Sequence, residues 1–139
     1  MKYLTRLFMA LHVALYRLSG GKLGGEMRGF TVILLTTQGR RSGKSFTTPL
    51  GFFEHPDGYV IVASNGGRPT HPAWYFNLKS NPQVTLQVFD KNLSSTAEIL
   101  SGEARRQMWQ QVIATAPAYA EYEQKTTREI PLVLLRSVE

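Results

Sequence analysis

Apolar residues near the start of the chain recur at helical intervals and then give way to short β-branched runs separated by turns. Leu4, Leu7, Phe8, Leu11, Leu15 and Leu18 follow i, i+3, i+4, i+7 spacing, which predicts a helix over residues 3–18 with one apolar stripe. Lys2, Arg6, Val13 and Arg17 fall on another face, and Ser19-Gly20-Gly21 supplies a stop. Arg6, His12 and Arg17 interrupt the segment too often for a secretory leader, and the run is too short and charged to cross a bilayer. Such a helix either packs on its own domain or lies in a membrane interface with its basic residues toward anionic headgroups.

Strands are expected at residues 31–37, 46–53, 59–64, 84–89, 93–100 and 130–135, where Val, Ile, Leu, Thr and aromatic residues cluster between turn signals. Pro49 inside the second run marks an edge, a bulge or a barrel corner. Helices are expected at residues 73–78, with Pro72 opening the first turn, and at 102–115, capped by Ser101 and broken by Pro117. A short helix carrying Tyr119 and Tyr122 follows. Hairpin-length turns between the early strands predict antiparallel pairing. The expected fold is α+β, mainly β: a six-stranded antiparallel barrel with peripheral helices. Residues 1–23 form the N-terminal helical segment and residues 24–139 the barrel domain.

Composition narrows the chemistry. The chain of 139 residues is 42% hydrophobic, enough for one packed domain without staples. It has no cysteine, which excludes disulfides and thiolate chemistry. His12, His55 and His71 are far apart, so no pair has metal-ligand spacing and no metal is expected. A net charge of +6 favours an anionic partner. No nucleophile elbow, zinc-protease motif or close carboxylate pair supports hydrolase chemistry.

Residues 39–44, Gly-Arg-Arg-Ser-Gly-Lys, resemble a Walker A loop, but only three residues separate the glycines and a strand follows. A tight turn with Arg40, Arg41 and Lys44 is nevertheless a candidate anion nest; the plain alternative is an exposed basic hairpin. Ser64-Asn65-Gly66-Gly67 follows a strand, where adjacent glycines let a ligand approach the backbone. Trp74, Tyr75 and Phe76 cannot all face the core of one helix, so at least one belongs near a groove; ordinary core packing is the competing explanation.

The ordered set of motifs is more specific than any one of them. Leu34-Leu-Thr-Thr-Gln-Gly-Arg-Arg-Ser-Gly-Lys44 is followed by Thr47-Thr-Pro-Leu50, Ala63-Ser-Asn-Gly-Gly67, His71-Pro-Ala-Trp-Tyr75, Asn77-Leu-Lys79 and Asn81-Pro82. Tyr119-Ala-Glu-Tyr122 and Arg128-Glu-Ile-Pro131 complete it. From Leu34 to Leu135 the chain resembles the deazaflavin-dependent nitroreductase family of actinobacteria and relatives. That resemblance implies a split β-barrel related to flavin mononucleotide-binding oxidases, and coenzyme F420, whose phosphate and oligoglutamate tail are anionic.

By resemblance, Arg40, Arg41, Ser42, Gly43 and Lys44 hold the phosphate and tail, with Thr47, Thr48 and Pro49 alongside. Ala63, Ser64, Asn65, Gly66 and Gly67, together with Pro72, Ala73, Trp74 and Tyr75, wall the ring. Ser64, Tyr119 and Tyr122 match positions near the reacting face. Relatives often carry a basic residue where Phe46 stands, and some a tyrosine where Ala116 stands, which implies one cation fewer and a reshaped substrate side. The implied activity is hydride transfer from reduced F420 to an electron-poor acceptor: a quinone, enone or nitroaromatic.

Two other classes remain as alternatives. One is an FMN- or FAD-dependent oxidoreductase or flavin carrier on the same barrel. The other is a nucleic-acid-binding small barrel, disfavoured because most Lys and Arg sit in turns and helices and the aromatics gather around Trp74. A small-molecule substrate and no nucleic acid are expected, with a homodimer as one assembly state. The expected location is cytoplasmic, with contact to the inner face of the cell membrane through the first helix.

Overall fold

Central strands buried on both faces read as unbroken apolar runs, and this chain has three of them. The computed structural model describes residues 2–22, 26–27 and 30–137. The strands are β1 (Glu26–Met27), β2 (Phe30–Gln38), β3 (Ser45–Gly51), β4 (Phe53–His55), β5 (Gly58–Val62), β6 (Gln83–Val88), β7 (Lys91–Ile99) and β8 (Leu132–Ser137). Four helices accompany them: α1 (Lys2–Ser19), α2 (Ala73–Ser80), α3 (Gly102–Thr115) and α4 (Ala118–Gln124). The expected boundary between residues 23 and 24, and the side chain of Leu4, lie outside the described residues.

The fold is mixed α+β on a curled antiparallel sheet in the order β1-β2-β6-β7-β8-β5-β4, with β3 also on β2. Six strands were expected and eight are present among the described residues. The run at 46–53 divides at Phe52: its backbone N–H makes the last bond toward β2, to Thr31 O (3.2 Å), and from Phe53 the chain pairs with β5 instead. The other addition, β1, is a two-residue ladder, too short to leave a pattern in the sequence. Pro49 sits opposite Leu34 on β3, which pairs with β2 alone, so its missing N–H leaves no partner unsatisfied.

Period-two alternation splits each central strand between two layers. Ile33 and Leu35 of β2, Ile61 of β5, and Val133 and Leu135 of β8 form the inner core with Trp74, Tyr75 and Leu78 of α2. Val60, Val62, Leu132 and Leu134 turn outward against Met108, Trp109, Val112 and Tyr119 of α3 and α4. Ser101 stands at the start of α3 as expected, but its side chain makes no capping hydrogen bond.

The first helix packs by a face the sequence pattern did not single out. Met9, Val13 and Tyr16 share one side of α1 at i, i+4, i+7. Tyr16 is fully buried with Val32 and Leu34, and Val13 packs against them. The Tyr16 hydroxyl donates to Gln87 O (3.1 Å) and accepts from Phe89 N–H (2.7 Å). The leucine stripe points the opposite way: Leu7, Phe8, Leu11, Leu15 and Leu18 are all exposed. Gly21, at φ +84°, ends the helix beneath strand β6's exit, where a Cβ would stand 2.6 Å from Phe89 Cα. No helix among the described residues is long and apolar enough to cross a membrane.

Candidate active site

Two clefts meet along the edge where β3, the 39–44 turn, the 64–72 loop and α4 converge. The first, about 330 Å³, is lined by Gly39, Arg40, Arg41, Ser42, Phe46, Thr48, Ala73, Trp74 and Asn77. The second, about 540 Å³, includes Thr48, Pro49, Ser64, Asn65, Gly66, Arg68, Pro72, Trp74, Tyr119 and Tyr122. Thr48 and Trp74 border both, so the clefts adjoin. Their combined lining holds three arginines and no carboxylate. A recess of about 660 Å³ beside the β4–β5 turn contains Glu54 and Asp57 and lacks that anion-friendly character.

The basic turn is pinned from α2. Asn77 is buried, its Oδ1 accepts from Arg40 N–H (3.2 Å) and Arg40 Nη1 (3.3 Å), and its Nδ2 donates to Thr37 Oγ1 (3.2 Å). The Arg40 guanidinium also lies 5.2 Å over the Phe76 ring. Arg40 is therefore partly committed to holding the turn. Among the described residues no hydrogen bond or ion pair engages the charged groups of Arg41 and Lys44, and both are exposed. Phosphate and carboxylate groups need donors that are not already neutralised, and this turn offers two. The residues present thus fit an anionic, elongated cofactor.

The 64–72 loop runs through three consecutive positive φ values, Asn65 (50°), Gly66 (66°) and Gly67 (80°). Gly67 is buried against α4, and a Cβ there would lie 3.1 Å from Tyr122 O. Gly67→Ala should cost about 1–3 kcal/mol, read as a lowered denaturation midpoint with unchanged m-value. Ser64 is buried at the cleft wall, and no hydrogen bond occupies its Oγ among the described residues. Tyr119 packs edge-on against Phe53 (5.8 Å) and Tyr122 (5.7 Å). Burial, with the Tyr122 hydroxyl adding to it, pushes the Tyr119 pKa up to about 12, so this phenol stays protonated and able to donate.

The clefts gather most of the expected residues: Arg40, Arg41, Ser42, Thr48, Pro49, Ser64, Asn65, Gly66, Pro72, Ala73, Trp74, Tyr119 and Tyr122. Others are placed elsewhere. Tyr75 packs in the inner core and against His71 (centroids 4.6 Å) rather than lining either cleft. Thr47 faces the opposite side of β3, bonded to Thr36 Oγ1 (2.7 Å) and Arg17 Nη2 (3.0 Å). Ala63 and Gly67 are buried behind the wall, and Gly43 and Lys44 sit on the turn outside the lining. Ala116 is buried in the outer layer rather than on the substrate side. The sequence reading missed Asn77, Arg68 and Met9 of α1 as cleft residues. For Met9 the i+4, i+7 relation to Val13 and Tyr16 was the available signal.

Trp74 is both core and wall: 7% exposed, yet bordering both clefts. A planar ligand bound there should quench its emission, measured in a Trp109→Phe background so that Trp74 is the remaining indole.

A basic, acid-free pair of clefts bordered by Tyr119 and Tyr122 fits an anionic aromatic cofactor. The sequence comparisons agree and narrow it. The family model described as F420H(2)-dependent quinone reductase matches residues 8–137. An F420H(2)-dependent quinone reductase of Mycobacterium tuberculosis (strain ATCC 25618 / H37Rv) is 37% identical over 91% of this chain and 88% of its own. A solved F420-H2 dependent reductase, FDR-A, is 45% identical, with a TM-score of 0.70 over 76% of this chain and 93% of its own. A second solved structure, described only as a domain-swapped dimer, is 37% identical, with a TM-score of 0.73 over 97% of this chain and 98% of its own. The chain belongs to the F420H(2)-dependent quinone reductase family. It is an oxidoreductase whose cofactor is coenzyme F420.

Proposed function

We propose that F420 lies end to end along the two clefts on a split β-barrel. Its phosphate and oligoglutamate tail meet Arg41, Lys44, Ser42 and the N–H groups of the 39–44 turn. Its ring lies against Trp74, Pro72, Ala73 and the Ser64–Gly66 backbone. The single observation that carries this reading is the adjoining pair of clefts with three arginines and no acid in the lining. The split of the barrel is supported by β3 pairing with β2 alone and β4 with β5 alone, with no ladder joining them among the described residues.

Bound reduced F420 supplies a hydride from its ring carbon to an electron-poor acceptor. Ser64 Oγ and the Tyr119 hydroxyl donate hydrogen bonds to the acceptor oxygen as negative charge develops there. Tyr122 and Met9 border the same cavity and shape access to it. A quinone is the favoured acceptor, ahead of enones and nitroaromatics. Ser64→Ala and Tyr119→Phe should each lower kcat for a soluble quinone by roughly tenfold with F420 affinity nearly unchanged, measured by stopped-flow oxidation of the reduced cofactor. Unchanged kcat in both variants would remove these hydroxyls from the chemistry.

The exposed Leu7, Phe8, Leu11, Leu15 and Leu18 face borders the α1 turn that carries Met9. It supports shallow contact with the inner face of the cell membrane, where a lipid-soluble quinone resides. Residues 1–23 then serve access and residues 24–139 hold the cofactor. The domain-swapped relative supports a homodimer. Co-sedimentation with anionic vesicles tests the first idea, and sedimentation equilibrium without lipid tests the second.

A further inference from the structure

We propose that Arg128 is a positioning residue for the ring-side loop, and that its bond to neutral His71 makes cofactor affinity fall as pH drops. This rests on the reading that the 64–72 loop borders the F420 ring. Arg128 lines neither cleft. Its guanidinium nevertheless spans the loop: Nη1 donates to Ala63 O (3.3 Å), Nη2 to Ser64 O (2.8 Å) and Nε to Arg68 O (3.0 Å). Nη1 also meets His71 Nδ1 at 2.9 Å. One side chain thereby ties the end of β5, the left-handed stretch and the residue preceding Pro72.

Beyond Arg128, the loop is held by the packing of Gly67 on α4 and by bonds within itself. Its own bonds are Gly67 N–H to Ser64 O, Arg68 N–H to Asn65 O and Asn65 Nδ2 to Thr70 O. Asn65 holds a left-handed conformation without a glycine's freedom, a cost that the surroundings must offset. Among the described residues no carboxylate forms an ion pair with Arg128; its acceptors are three carbonyl oxygens and the His71 ring nitrogen.

A guanidinium can only donate, so His71 Nδ1 must be the acceptor and the ring proton must sit on Nε2. A second proton would set two donors against each other. Around His71 stand Arg128, Lys79 and the Tyr75 and Phe76 rings, while Glu129 acts on Tyr75 instead. Burial first, then Arg128 and Lys79, hold the imidazole below its ordinary value of 6.5. The pinned loop is fully stable above that value. As pH falls below it, the released loop takes up a proton that the pinned loop refuses, and the pinned state loses ground.

The test uses the full chain with and without F420. Without cofactor, exchange of the Gly67 and Arg68 amides, corrected for intrinsic rate, should quicken by about tenfold between about pH 7.5 and pH 5. His71→Asn keeps an acceptor near the Nδ1 position but cannot titrate, so its corrected exchange should stay level. With cofactor, the wild-type Kd should rise about tenfold more than that of His71→Asn over the same range, a difference that cancels titration of F420 itself. Arg128→Lys keeps the charge, loses the fork, and should raise Kd about tenfold at neutral pH. Superimposable pH profiles for wild type and His71→Asn overturn the proposal, whether or not Arg128→Lys folds. Failure of wild type to bind F420 overturns the cleft reading instead, and the cofactor-free exchange still judges the Arg128–His71 device.

Discussion

Replacing Arg41 and Lys44 together by alanine should weaken F420 binding by about 3–6 kcal/mol, a roughly 10²- to 10⁴-fold rise in Kd. Each charge-assisted bond to phosphate or carboxylate is worth about 1.5–3 kcal/mol, and these two cations have no partner to lose among the described residues. Fold stability should hardly change, because neither charge takes part in the packing. Arg40→Ala should behave differently: it breaks a bond to buried Asn77 and a contact with Phe76, so stability and affinity fall together. Titration calorimetry at low and high salt separates the cases, since screening shrinks the exposed charges' contribution. A double variant that binds as wild type would move the anion site elsewhere.

A chain beginning near Gly24 should lose about 3–5 kcal/mol of stability, roughly 10–20 °C in Tm. Removal of α1 strips a fully buried tyrosine from Val32 and Leu34. It also leaves Gln87 O and Phe89 N–H without the Tyr16 hydroxyl. Tyr16→Phe isolates the hydrogen-bond part, at about 1–3 kcal/mol. F420 should still bind the shortened chain when it is kept below its melting point, because among the described residues α1 contributes Met9 alone to the clefts. An unchanged Tm would show that α1 does not pack as described.

The elements were legible where burial is simple. The apolar runs in β2 and β8 marked them as strands because both faces are covered. What the pattern did not carry was which face of α1 docks. Its leucines form the stronger stripe, yet the helix is held by Tyr16, whose buried hydroxyl is satisfied by backbone more than seventy positions away. Thr47 and Thr48 look equivalent in sequence, but the β2–β3 register turns one toward Thr36 and the other into the clefts. The basic turn and the glycine loop were visible as local motifs. Asn77 and Arg128 open two of the motifs that carry the resemblance, but the groups they bond lie 37 to 65 positions away, so their partners were not legible locally.

Competitive titration of the purified full chain with F420 and FMN, followed by mixing the reduced F420 complex with a quinone, tests the reading most directly. F420 should bind in preference to FMN, quench Trp74, and be oxidised when quinone is added. Tight FMN binding with no F420 binding, or an F420 complex inert to every quinone tried, would contradict it.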